Sequence, residues 1–254
     1  HTFCTLAAAI AEANGSAGVD IIEFDTGGPI ILNNALPAIT ESLTVSGPIT
    51  IDATPSAAPD RVRIFQITAA GDYSLVDLTL ENALSSANHG AAVTVGPVTG
   101  VNLSLSRVTI RDAESQAGNG AALYLPTGNT ASLSNCSFSG NTSQNGGAIY
   151  SESPLVFTGN TTINDNTATA NGGGLYLNNP TGSSSSLVGL TMSGNAAVDG
   201  GAIWLRNESS SRDFSISSID LDANTASGNG AGIYIERGTI SLSGSTLRGN
   251  SASG

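Results

Sequence analysis

Two stretches of this chain, "FSGNTSQNGGAIY" at residues 138–150 and "MSGNAAVDGGAIW" at residues 192–204, carry apolar, Asn, Gly and aliphatic positions in the same order. Such a recurrence constrains the fold more than any single motif, because it means one structural unit is copied along the chain. Aligned on the apolar residue of a Φ-x-x-N block (Φ, apolar), the rungs are Phe138, Ile163, Met192, Leu221 and Leu247. Each is followed three positions later by Asn141, Asn166, Asn195, Asn224 or Asn250. Upstream, Ile110 and Leu80 hold the apolar position while Ala113 and Ala83 replace the Asn, and Ile51 marks a still earlier rung. The period is 25–30 residues.

A second column follows a Gly-rich turn and contains Val93, Leu123, Ile149, Leu175, Ile203 and Ile233. Two residues further on come Val95, Leu125, Ser151, Leu177, Leu205 and Ile235, the alternation of a strand with one buried face. A third alternating segment precedes each Φ-x-x-N block, so each repeat supplies about three short strands. One repeat cannot close a core by itself; its apolar face is covered only when the next repeat stacks on it. A coil of strands with turns about 4.8 Å apart is a parallel β-helix. The expected chain is all-β and forms one domain over residues 1–254. It has a helical cap at 1–15, first turns at 16–60 and repeated turns over 61–254.

The Asn column has an architectural reading. Each amide sits where the chain turns and can bond backbone groups and the Asn of the next turn, forming a ladder of Asn141, Asn166, Asn195, Asn224 and Asn250. The Gly pair before each aliphatic permits positive φ and close approach of neighbouring turns. At the N-terminus, Thr5 can cap a short helix running to about Ala13 and stopping at Asn14 and Gly15, with Leu6, Ile10 and Ala13 on one face. That helix is expected to cover the first turn, whose strand edges would otherwise be open to aggregation.

Composition narrows the partners. The formal net charge is -12, and all eight basic residues are Arg. Such a surface repels phosphate backbones and anionic bilayers, which argues against nucleic acid or lipid headgroups; calcium or a neutral glycan fits better. No stretch approaches the roughly 18–20 apolar residues of a membrane-spanning helix. The chain begins at His1 without Met and stops after a Φ-x-x-N block, so it reads as a processed or truncated piece. At its C-terminal end more repeats or a second molecule, associated head-to-tail, would stack. Cys4 and Cys136 do not form a disulfide framework; Cys136 reads as a buried thiol, and a partner of Cys4 could lie upstream.

The paired "FSGN" and "GGAI" tetrapeptides resemble those of chlamydial polymorphic outer membrane proteins. Residues 4–53, with "CTLAAAI", "DIIEF", "LPAIT", "SLTVSGP" and "ITIDA" in order, resemble the N-terminal segment of bacterial extracellular right-handed β-helix proteins of the CSLREA type. The Arg and Glu of that helix motif are Ala7 and Ala8 here, so the reciprocal capping box is absent. The resemblance implies a right-handed β-helix, bacterial origin, an extracellular or cell-surface location and an association with adhesion.

Because β-helices also host polysaccharide lyases and glycoside hydrolases, the outer faces decide the chemistry. The position after Φ reads Glu81, Arg111, Ser139, Asn164, Ser193, Asp222 and Arg248, and no column stacks two carboxylates on successive turns. The best acid pair is Asp220 and Asp222, on one face of one strand and about 7 Å apart by strand rise, a separation suited to an inverting hydrolase. Arg248 should lie over Asp222. The "DLDAN" run also carries calcium-type ligands, although the ladder would turn Asn224 inward. His1 and His89 have no ligand at metal spacing, so no zinc site is assigned.

The strongest surface signal is aromatic. Directly after each inward aliphatic come Thr94, Tyr124, Tyr150, Tyr176, Trp204 and Tyr234, with the small residues Ala122, Ala148, Gly174, Ala202 and Gly232 expected beside the rings. The column is either a ladder of rings that stiffens the rod or an open platform for sugar rings or a partner surface. A hydroxyl column, Thr79, Thr109, Ser137, Thr162, Thr191, Asp220 and Thr246, reads as ordinary sheet decoration. Together these features indicate a secreted or cell-surface structural or adhesive β-helix, with polysaccharide cleavage as the alternative.

Overall fold

The structure is a computed structural model and describes residues 4–24, 27–54, 62–179, 185–207 and 214–254. His1 lies outside the described residues. The chain opens with one short helix, Leu6–Ala13, and continues as strands paired in parallel throughout. Thr5 Oγ1 accepts the Ala8 N–H at 3.1 Å, and Leu6, Ile10 and Ala13 are the buried helix face, as the spacing predicts. Asn14 pins the helix end to the first turns: its Nδ2 donates to the Ala38 carbonyl at 2.7 Å and its Oδ1 accepts the Thr40 N–H at 2.8 Å. No helix among the described residues is long and apolar enough to cross a membrane.

One turn of the coil runs through Val93–Val95, Val101–Ser106, Thr109–Arg111 and Glu114–Ser115, and reaches the next turn at Leu123–Leu125. Each turn from Val93 onward therefore has four strand segments where the sequence suggests three. The extra one follows the Asn position and is only two residues long, too short to show an alternation of its own. The longer strand Gly71–Glu81 pairs with both Val101–Ser106 and Thr109–Arg111, so the two faces merge into one sheet bent at a corner. That corner is a left-handed residue, Asp77 at φ 56° and Arg107 at φ 54° on successive turns. A second left-handed corner, such as Gly140 at φ 65°, comes just before the Asn position and aims that side chain inward.

Register carries each column straight along the axis. Phe138 pairs with Ile110 on one side and Ile163 on the other, and Met192 pairs with Leu221. These residues form one continuous apolar core from Leu6 to Leu221, in which Phe65, Phe138, Phe157 and Phe214 are fully buried. Burying each such side chain is worth about 1.5–3 kcal/mol. Cys136 belongs to this core, and burial pushes its thiol pKa up; Cys4 is free and exposed.

The Asn ladder is continuous and dry. Asn141, Asn166, Asn195 and Asn224 have no solvent exposure. Each Nδ2 donates to the Oδ1 of the next Asn, at 2.8, 3.0, 2.9 and 2.9 Å along the series from Asn141 to Asn250. Each Oδ1 also accepts the backbone N–H of the preceding Asn, as from Asn166 N to Asn195 Oδ1 at 3.1 Å. Where Ala113 stands in the column, its N–H still reaches Asn141 Oδ1 at 3.0 Å.

Candidate functional site

The outer face of the strands Leu123–Leu125, Ile149–Ser151, Leu175–Asn179 and Ile203–Asn207 carries the aromatic column in strict register: Tyr124 opposite Tyr150, Tyr150 opposite Tyr176, and Tyr176 opposite Trp204. The rings stack face to face, with centroids 5.4, 4.6 and 3.9 Å apart and interplanar angles of 14°, 10° and 6°. Parallel strands set this geometry, since side chains at one register position repeat at the turn spacing, within the centroid range of stacked rings. Tyr234 follows in register beside Trp204 but stands outside the stacked series among the described residues.

Stacking closes the ring faces. Trp204 is 3% exposed and Tyr150 is 8% exposed, so the column is not an open platform at these two rings, and the accessible edges are those of the half-buried Tyr124, Tyr176 and Tyr234. The small residues expected beside the rings point the other way. Ala122, Ala148 and Ala202 are fully buried in the core, and a Cβ on Gly174 would meet Met192 Cε and Ile163 Cγ2. The chain bends between the Gly-rich turn and the strand, so two consecutive residues face inward and the alternation inferred from sequence does not extend back to them. The glycine that lies against the ring column comes earlier: a Cβ on Gly200 would stand 2.9 Å from Trp204 Cβ.

Burial dominates the electrostatics of the column. It raises the Tyr150 phenol far above its ordinary value, helped by Glu152, whose Oε1 accepts the Tyr150 hydroxyl at 2.8 Å. Tyr176 is pushed up to about 12, again by burial first and then by Glu236. The native state thus holds these protons more tightly than the unfolded chain, whose phenols titrate near pH 10. Their stabilising contribution is intact below about pH 10 and is lost as pH rises from about 10 toward about 12. In an alkaline titration, tyrosinate absorbance from these rings is expected to rise together with loss of the β circular dichroism signal. Ionisation of every ring near pH 10 with that signal intact would show that the column is solvated.

His89, isolated in the sequence reading, joins the stack. Its imidazole lies 4.4 Å from Tyr124 at 13°, and its Nδ1 accepts the Asn119 N–H at 3.0 Å. It heads a second polar ladder that the sequence analysis missed, formed by the residues just before each left-handed glycine. In this ladder Asn145 Nδ2 donates to Asn119 Oδ1, Asn171 Nδ2 to Asn145 Oδ1, and Asn229 Nδ2 to Asp199 Oδ1, at 3.0–3.1 Å. The signal was present as "NHG", "GNG", "QNG", "ANG", "VDG" and "GNG" at equivalent repeat positions. Where Thr94 replaces the aromatic residue, the histidine of the neighbouring column fills the place of a ring.

Charges on the other faces pair between turns. Arg107 holds Asp77 through two bonds of 2.5 and 2.8 Å, and Arg111 pairs with Glu81. Arg248 lies over Asp222 and reaches both Asp220 and Asp222 at 3.4 Å, so one guanidinium faces the whole candidate acid pair. Asn224, the remaining residue of the calcium-like run, turns inward and bonds Asn250. No group of three or more His, Cys, Asp or Glu comes together as a metal-ligand set among the described residues. The hydroxyl column is in register throughout, with Thr162 Oγ1 donating to Ser137 Oγ at 3.1 Å.

No curated protein and no solved structure matches the chain significantly. The family described as the right-handed β-helix region matches residues 79–254, more than two thirds of the chain, and these residues hold every complete turn described above. The chain therefore belongs to the right-handed β-helix family.

Proposed function

We propose that this chain is a structural and adhesive rod, secreted or displayed on a bacterial cell surface, that projects or spaces a contact surface and makes no chemical change in its partner. One observation carries this reading: the outer columns are engaged with their own neighbours along the axis. Ring faces meet ring faces, Arg meets acid on the adjacent turn, and in the second ladder Asn meets Asn, so the polar and aromatic surface stiffens the coil. The resemblance to CSLREA-type and polymorphic outer membrane proteins supports the compartment and the adhesive role. A glycan or surface receptor would meet the outward edges of Tyr124, Tyr176 and Tyr234, with Tyr150 and Trp204 holding them in line from within the stack, and head-to-tail association of copies belongs to the same reading.

The test is a panel of bacterial, plant and host polysaccharides in which binding and product mass are followed in the same wells. Binding without shortening of any polymer, reduced by Tyr124→Thr or Tyr234→Thr in a folded protein, is the expected result. Depolymerisation that disappears in Asp222→Asn would replace this reading with that of a hydrolase.

A further inference from the structure

The N-terminal end of the ring stack differs from the rest of the column. His89 has Tyr124 on one face and no ring on the other among the described residues, and the next register position along the axis holds Gln66. Beside this end ring lies a cavity of about 240 Å³, lined by Arg63, Gln66, His89, Thr94, Tyr124 and Pro126 among others. That volume is below the roughly 300–1,000 Å³ of sites for drug-sized ligands and suits a single ring.

The donors around the cavity are unbalanced. Arg63 is half-buried, and its Nε and one terminal nitrogen both donate to a single neutral acceptor, Ser85 Oγ, at 3.2 and 3.1 Å. Among the described residues no carboxylate pairs with it, whereas Arg107, Arg111, Arg206 and Arg248 all meet acids. A guanidinium has five N–H groups, so three remain for a ligand. The imidazole adds another: Nδ1 accepts the Asn119 N–H, which places the proton of the neutral ring on Nε2 as a donor. Glu152, the acid whose charge reaches His89 and Tyr124, already accepts the Tyr150 hydroxyl.

A partly desolvated cation, a neutral N–H donor and the free face of a stacked ring in one small cavity have a chemical complement. We propose that this cavity binds a single six-membered ring bearing a carboxylate, the acid on Arg63 and the ring against the imidazole face of His89. Sugar acids and aromatic acids share that chemistry. The cavity shares Tyr124 with the outward edges of the column, but Arg63 and His89 belong to it alone, and the inference holds whether or not the rod is displayed on a surface.

The test is titration of the full chain with glucuronate, benzoate, acetate and glucose, following the His89 imidazole resonance by NMR. Saturable shifts with glucuronate or benzoate, at least about tenfold tighter than with acetate or glucose, are expected. Tighter glucuronate points to a sugar acid, and tighter benzoate to an aromatic acid. Arg63→Gln, which keeps a donor for Ser85, should weaken binding about tenfold or more, because a charge-assisted pair is lost. His89→Asn places the common residue of that repeat position and should bring the ring acids down to the affinity of acetate, read by calorimetry. Acetate equal to the ring acids, affinity unchanged in a folded Arg63→Gln protein, or no saturable shift with any acid would each overturn the proposal.

Discussion

Asn195→Ala is expected to lower the unfolding free energy by about 3–5 kcal/mol, a large loss for removing one polar side chain. The Asn195 amide serves four partners at once: Oδ1 accepts from Asn166 N and Asn166 Nδ2, and Nδ2 donates to the Ile163 carbonyl and Asn224 Oδ1. All lie in a stretch without solvent exposure, so alanine leaves the Asn166 N–H and the Ile163 carbonyl buried without those bonds. Each stranded group costs about 1–3 kcal/mol, since water cannot reach it. In a solenoid the loss falls on the interface between adjacent turns, so the broken rung should also become the point where cooperativity divides. Chemical denaturation with hydrogen exchange on the Asn166 and Asn195 amides would measure both effects. A change under about 1 kcal/mol would mean that the ladder is decoration and that strand pairing alone holds the turns.

The second large effect is expected from the smallest possible change. In Gly173→Ala the new Cβ would overlap the Gly201 carbonyl oxygen and stand 2.6–2.7 Å from backbone atoms of Ala196, all on the next turn. None of these atoms is the end of a flexible side chain, so the turns must separate or the peptide must reorient. The repeat shows what reorientation involves. Gly147, Gly173 and Gly201 each donate to the carbonyl of the left-handed glycine on the next turn, Gly172, Gly200 and Gly230, whereas Ala91 and Ala92 both donate to Ala121. Switching residue 173 alone to the alanine form would break its match with glycines on both sides. A destabilisation of about 2–4 kcal/mol follows from overpacking together with the lost bonds. Gly232→Ala is the control. Its Cβ would meet Leu221 and Asn250 at 3.5–3.6 Å, ordinary contact distances, and the same repeat position already holds Ala202. That variant should stay within about 0.5 kcal/mol of the parent. Equal losses at both positions would mean that the close approach of turns at Gly173 is not what limits the fold.

The loss at Asn195 and the loss at Gly173 both depend on features that repeat with the period of the coil, which is why they were readable from residues alone. Once turns stack in register, a residue type at a fixed repeat position becomes a column, and the chemistry of a column follows from composition. Amides that bond their own kind make the Asn ladder, aliphatics make the core, and aromatics make a line of rings. The alignment of Phe138, Ile163, Met192 and Leu221 therefore carried the pairing directly. The opposition of Arg248 to Asp222 was legible for the same reason.

Features that depend on direction within a turn were not legible. The fourth segment, Glu114–Ser115, is too short for a period, and its place is set by the left-handed corner at Asp112. Ala122 and Leu123 both face inward because the chain bends between them, and an alternation count cannot see a bend. Sequence placed Tyr150 and Trp204 outside the coil, but side-chain torsions decided that their faces would close on one another.

His89 shows the division most clearly. Its residue type and repeat position were open to reading, yet its role depends on a side chain crossing from the polar ladder into the space that Thr94 leaves unfilled. Sequence by itself determined the coil, its register and the columns, because these follow from periodicity and burial. Only the tertiary structure decided which faces of those columns stay open, because that depends on corner geometry and rotamers, which no repeat spacing encodes.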